Sequence, residues 1–168
     1  MRSLLVLFSV LPLALCCEEG WSYLPATDSC YRYFDERKTW YEASQACGAL
    51  GGDLPSVGSE EENTFIQEVA ATGRDQGWGG MPWIGGFSET EGTDAQYFKF
   101  QWNDNTAFSY TNWLPGVPNW RWDEEERCTQ MITDSCSACG NFFKLGGWNN
   151  ICCGHKLRYI CKVKARRA

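Results

Sequence analysis

Apolar and polar positions follow two different periods along this chain, and each change of period marks an element. After a basic Met1-Arg2-Ser3 start, the run from Leu4 to Leu15 is apolar almost without a break. Beyond Cys17, aromatic residues alternate with polar ones on either side of Pro25-Ala26-Thr27-Asp28, which predicts two short strands joined by a turn. Cys17 and Cys30 stand where a disulfide would tie that hairpin. The spacing then becomes helical. Trp40, Ala43, Cys47 and Leu50 share one face, behind a capping box at Thr39 and Glu42 and ahead of a Gly51-Gly52 stop. Ser59 and Glu62 form a second box before Phe65, Ile66, Val69 and Ala70, with Gly73 as the stop. Both helices read as core-facing scaffold.

Period two returns in the second half. Trp83-Ile84 reads as a short buried strand within a glycine-rich stretch. Tyr97–Trp102 alternates and turns at Asn103-Asp104-Asn105, and Cys128–Thr133 and Lys156–Cys161 read as further strands. Helices early and strands mostly late predict an α+β domain with a mainly antiparallel sheet. Neither internal repeats nor a domain linker interrupt it.

One stretch fits neither period. Asn112–Cys128 is too rich in Pro, Gly and Asn for a helix or a central strand, and its three tryptophans argue against disorder. It reads as a long functional loop. Together with Trp148-Asn149-Asn150, it gathers oxygen-bearing side chains of the kind that suit a hard cation or sugar hydroxyls.

The first 16 residues are expected to be a secretory signal peptide, cut after Cys16, because the apolar run is too short to span a bilayer. Residues 17–168 then form one secreted, extracellular domain. Loss of Arg2 with the leader leaves 14 basic residues against 21 acidic ones, a net charge of about −7. That balance excludes nucleic-acid binding through the overall field. The basic tail of Lys162, Lys164, Arg166 and Arg167 reads as a solvated end. In a secreted chain, Cys136-x-x-Cys139 and Cys152-Cys153-Gly154-His155 read as disulfide chemistry rather than a zinc site. His155 is the single histidine, and neither a nucleophile elbow nor an acid–base carboxylate pair is visible, so no enzyme is expected.

The landmarks resemble the C-type lectin-like domain family in its long form, which carries an extra N-terminal disulfide. They run from Gly20-Trp21 and Cys30-Tyr31 through Thr39-Trp40, Cys47, Gly51-Gly52-Asp53-Leu54, Trp83-Ile84-Gly85, Glu91-Gly92 and Phe100-Gln101-Trp102. Asn112-Trp113, Pro118-Asn119, Cys128, Trp148-Asn149, Cys153 and Ile160-Cys161 complete them. The resemblance implies two helices, two small antiparallel sheets and a long ligand-binding loop. It also implies disulfides joining Cys17 to Cys30, Cys47 to Cys161 and Cys128 to Cys153. Of the cysteines left over, Cys136 or Cys139 is expected to pair with Cys152. The odd one stays free or bridges two copies into a disulfide-linked homodimer.

Sugar-binding members hold calcium through Glu-Pro-Asn or Gln-Pro-Asp, a later Glu, and Trp-Asn-Asp. Here the first motif reads Val117-Pro118-Asn119, the later glutamate is Glu126, and the third reads Trp148-Asn149-Asn150. Asn119, Glu126, Asn149 and Asn150 therefore remain as oxygen donors, with one formal charge where the family has three. The calcium site is expected to be weak or empty. At the auxiliary calcium position, Phe87, Trp120 and Arg127 stand where acids are wanted. Asp123, Glu124 and Glu125 read as a solvated face; the alternatives are a register shift that brings Glu125 or Asp123 into the metal site, and loose calcium binding as on a mineral surface. Trp120 and Trp122 lie outside the family pattern, and each either stacks on ligand or packs beneath its own loop. The expected function is carbohydrate recognition through the 112–128 loop, at Asn119, Trp120, Trp122, Glu126, Asn149 and Asn150. The alternative is a non-sugar ligand: a biomineral or ice face, extracellular matrix, or a protein partner.

Overall fold

The computed structural model describes residues 15–89, 99–119, 127–142 and 144–167. Its elements in chain order are β1 (Leu15–Cys16), β2 (Ser22–Leu24), β3 (Ser29–Lys38), α1 (Trp40–Ala49), α2 (Glu60–Ala70), β4 (Trp83–Ser88) and β5 (Phe100–Trp102). They continue with β6 (Cys128–Met131), β7 (Trp148–Ile151), β8 (Leu157–Lys164) and β9 (Arg166–Arg167). Strands β2-β3-β8 form one antiparallel ladder and β5-β4-β6-β7 another. A single parallel pair, Trp83 with Tyr159, joins them into a seven-stranded sheet. β1 pairs only with β9. Because β1 precedes the expected cleavage point, a chain cut after Cys16 would leave β9 without that partner.

At α1 the capping box is complete: Thr39 Oγ1 accepts from Glu42 N at 3.3 Å, and Glu42 Oε2 accepts from Thr39 N at 2.9 Å. At α2 only half of the box forms. Ser59 Oγ accepts from Glu62 N at 3.1 Å, but the Glu62 carboxylate turns inward. There it accepts from Tyr31 OH at 2.6 Å, Lys162 Nζ at 2.7 Å and Gly58 N at 2.8 Å. Burial and the Glu62 carboxylate push the Tyr31 phenol well above its ordinary ionisation range. Lys162 is thus no part of a solvated tail, since it lies mostly buried against Glu62 and Ser56. Beyond α2 the chain is held by the buried Asp134, whose carboxylate accepts from Thr72 N at 2.8 Å and Gly73 N at 2.7 Å.

Two large apolar clusters pack against the sheet. One holds Ile66, Ile84, Trp102, Met131, Trp148 and Ile160. The other holds Trp40, Cys47, Leu54, Trp83, Leu157 and Tyr159. Each fully buried isoleucine contributes about 1.5–3 kcal/mol over exposure. Glycine is required where strands cross closely: a Cβ at Gly52 would lie 2.1 Å from the Lys162 carbonyl oxygen.

Disulfides join Cys17 to Cys30, Cys47 to Cys161 and Cys128 to Cys153, with Cα separations of 5.8, 5.3 and 5.1 Å. The remaining pairing differs from the sequence expectation, because Cys136 bonds Cys139 rather than either bonding Cys152. The cause is local. Cys139 N donates to Cys136 O at 3.0 Å, and the tight turn so formed sets the two Cα atoms 5.3 Å apart. Cys152, just past the end of β7, is left as a free, half-exposed thiol.

Candidate functional site

The long loop leaves β5 through Asp104, whose carboxylate accepts from Thr106 N at 2.9 Å and from the Ser56 hydroxyl. It then runs beside β7. Trp148 N donates to Asn112 O and Leu114 N donates to Trp148 O, both at 2.9 Å, so Trp113 bridges to Trp148 as in a parallel strand pair. Side chains lock the same junction. Asn112 Nδ2 and Asn63 Nδ2 both donate to Gly146 O, and Trp148 Nε1 donates to Asn63 Oδ1 at 2.8 Å. Trp148 therefore serves as the buried post on which the loop hangs.

Further along, Val117 is half-buried against a third apolar cluster of Met81, Leu114, Ile132, Cys136 and Cys139. The Val117–Pro118 peptide is cis. Asn119 follows with its side chain exposed, while its backbone is clasped by Asn150: Asn119 N donates to Asn150 Oδ1 at 3.0 Å, and Asn150 Nδ2 donates to Asn119 O. Asn150 is 1% exposed. The structure thus brings Asn119 and Asn150 together. Asn149 is half-buried and alternates to the opposite side of β7, where its register partner is Gln130. Trp120, Trp122 and Glu126 lie outside the described residues.

The described donors do not suit a tightly held calcium ion. Val117 gives a hydrocarbon to an apolar cluster, and the Asn150 oxygen already accepts the Asn119 N–H. Neither Asn119, Asn149 nor Asn150 carries the charge that hard-cation affinity needs. Among the described residues, no group of three His, Cys, Asp or Glu side chains could hold a metal. Phe87, at the auxiliary position, packs against Trp40 with ring centroids 5.0 Å apart.

Sequence reasoning placed the aromatic contribution at Trp120 and Trp122 and passed over a second group. Phe100, Phe108, Tyr110 and Trp113 are all half-buried along the start of the loop. Phe100 and Trp113 centroids lie 4.8 Å apart, and Phe108 sits 4.6 Å from Trp102. The alternation of Phe108, Tyr110 and Asn112 with exposed Ser109 and Thr111 was the available signal.

Comparisons with known proteins agree with this architecture. Residues 36–163 match the Lectin C-type domain family. The Versican core protein of Rattus norvegicus is 31% identical over 134 residues, covering 79% of this chain and 4% of versican. The C-type mannose receptor 2 of Homo sapiens is 33% identical over 149 residues, covering 88% of this chain and 9% of the receptor. The chain therefore spans a small part of the length of these relatives. Among solved structures, a calcium-independent type II antifreeze protein is 27% identical with a TM-score of 0.68, covering 91% of this chain and 98% of that one. The cow C-type carbohydrate-recognition domain of CD23, in the presence of GlcNAc2Man3 oligosaccharide, is 32% identical with a TM-score of 0.67, covering 91% and 97%. Fold, disulfide framework and the match over residues 36–163 together make this chain a member of the C-type lectin domain family.

Proposed function

We propose that this domain is an extracellular binding module that recognises carbohydrate through the surface of the 112–128 loop, without depending on tightly held calcium. The observation that carries the reading is the clasp of Asn150 on the Asn119 backbone. It holds the loop in shape with a neutral amide, so the surface needs no cation to organise it. The related CD23 domain, solved in the presence of an oligosaccharide, supports the ligand class, and the calcium-independent antifreeze relative supports a scaffold that works without the ion. The disulfides support an oxidising, extracellular setting.

The test is a glycan panel read with calcium and with EDTA. Binding that changes by no more than about twofold on chelation is expected, since the described donors Asn119, Asn149 and Asn150 carry no charge for the ion. A loss of about tenfold or more in EDTA would refute calcium independence. The antifreeze relative favours a second reading, a non-sugar surface ligand. No glycan bound, with adsorption to ice, mineral or matrix protein instead, would decide for it.

Cys152 adds a proposal about assembly. It is half-exposed and unpaired, so two copies can meet through it in an oxidising compartment. Non-reducing electrophoresis should show a dimer that Cys152→Ser converts to monomer. A wild-type band at monomer size alone would count against the bridge.

A further inference from the structure

A cavity of about 270 Å3 lies in the ladder that does not bear the loop, between the N-terminal segment, the end of α1 and the end of β8. Its volume falls just under the usual small-molecule range of about 300–1,000 Å3, so it suits one ring or a short chain. Apolar groups line it. Trp21 is half-buried and stands edge-on to Phe34, with ring centroids 6.2 Å apart. Val163 of β8 and the Cys17–Cys30 disulfide lie beside it. Leu50, the C-cap of α1, lines the same space and is 45% exposed. The next residue, Gly51, leaves the opening clear, since a Cβ there would meet no atom within 4 Å. The disulfide and the bond from Trp21 N to Glu18 O, at 3.1 Å, fix this wall in advance of any ligand.

Charge gathers at the same place. Lys164 and Arg166 line the cavity against a single acid, Glu18. Arg166 Nη1 and Glu18 Oε1 lie 3.5 Å apart, with their side chains 80% and 72% exposed. An ion pair so open to water contributes little, and Glu18 can give way to an incoming anion and turn to solvent. Lys164 Nζ is steadied by Thr27 O at 3.1 Å, and its ammonium keeps further donors free of that bond. A chain cut after Cys16 would add the Cys17 α-ammonium beside the same cavity, a group mostly protonated at pH 7.

We propose that this cavity is a second binding site, for a small amphipathic carboxylate. The aryl or short alkyl body of the ligand lies against Trp21, Leu50 and Val163 and removes their surface from water. Its carboxylate accepts from the Arg166 guanidinium, whose planar fork matches two carboxylate oxygens, with Lys164 as the second positive charge. A cationic ligand meets two like charges here, and a neutral one leaves the guanidinium unused. The site is independent of the long loop, which hangs on β7 in the other ladder.

The experiment titrates the purified protein with 3-phenylpropionate and indole-3-acetate, each beside its uncharged amide, and with tryptamine as the cationic control. Methyl NMR reads the place of binding and calorimetry its strength. The carboxylates are expected to bind about tenfold or more tighter than the amides, and tryptamine weakest of all. The Leu50 and Val163 methyl signals should move until saturation. Arg166→Gln changes a side chain on the surface, so the fold is retained. It should weaken the carboxylates by about fivefold or more and leave the amides within about twofold. Leu50→Ser should weaken carboxylates and amides alike. Methyl signals that stay still at saturation overturn the site, because the ion then binds elsewhere. So does a wild-type protein that binds neither carboxylate at about 10 mM, a concentration that reveals even millimolar affinity. Carboxylates held no tighter than their amides, or bound by Arg166→Gln within about twofold of wild type, overturn the assignment of the ligand class.

Discussion

Replacing Cys47 and Cys161 together by alanine is expected to lower the free energy of unfolding by about 4–5 kcal/mol. The bond joins α1 to β8 across a separation of 114 residues, so in the chain-entropy account it removes much of the freedom of the unfolded chain. Both cysteines are fully buried, and alanine leaves their backbone neighbours undisturbed apart from a small void. Against a typical total of about 5–15 kcal/mol, the loss would bring the domain close to its limit. The Cys136–Cys139 bond spans a separation of only three and closes a turn that a backbone hydrogen bond also closes. Its removal should matter far less. Guanidinium titration of the two variants side by side provides the comparison. A loss under about 1 kcal/mol for the Cys47/Cys161 pair would mean that the unfolded chain is already restricted in other ways.

The second large effect is expected at Glu62. Its carboxylate is 3% exposed and accepts from Tyr31, Lys162 and the Gly58 backbone, tying α2 to β3 and β8. Glu62→Ala leaves the Lys162 ammonium buried without its counter-charge and should cost about 3–5 kcal/mol. Lys162→Met alone strands the carboxylate and should also destabilise. Replacing both, Glu62→Leu with Lys162→Met, should recover much of the loss, because neither charge then needs a partner. The residual deficit would come from the Tyr31 hydroxyl, which keeps only its contact with Thr27, at 2.9 Å. A double-mutant cycle by thermal or chemical denaturation isolates the coupling. Additive single effects would show that the pair contributes nothing as a pair.

Much of this architecture was legible because the signals were local. Thr39 and Glu42 announced α1 because a capping box is satisfied by neighbours in sequence. Ser59 and Glu62 carried the same signature, yet the glutamate was taken by Tyr31 and Lys162, partners 31 and 100 residues away that no local pattern reveals. β7 escaped notice as a strand since Trp148-Asn149-Asn150-Ile151 lacks alternation; its pairing with β6 and the loop decides its conformation. The leftover cysteines were mispaired for a related reason. Sequence shows which thiols are unclaimed, whereas the turn that brings Cys136 to Cys139 is a backbone event. At the candidate site, the loss of the leading acid at Val117 was plain in the sequence, but the use of that side chain against Met81, Leu114 and Ile132 was not. Nor could the sequence distinguish Asn149 from Asn150, which strand alternation turns to opposite faces.

The order of strands places β2, β3 and β8 at one edge of the sheet and β6 and β7, which bear the loop, at the other, with one parallel pair as the seam between them. Both ends of the domain thus emerge beside the same ladder, and neither crosses the loop-bearing one. Such a unit can be spliced in tandem into a longer polypeptide, its linkers entering and leaving beside one ladder while the long loop is carried by the other. Versican and the mannose receptor, of which a domain like this is a small fraction, are long chains of the kind that this arrangement accommodates. Modularity of this sort follows from where the chain enters and leaves the sheet, and it is independent of what the loop binds.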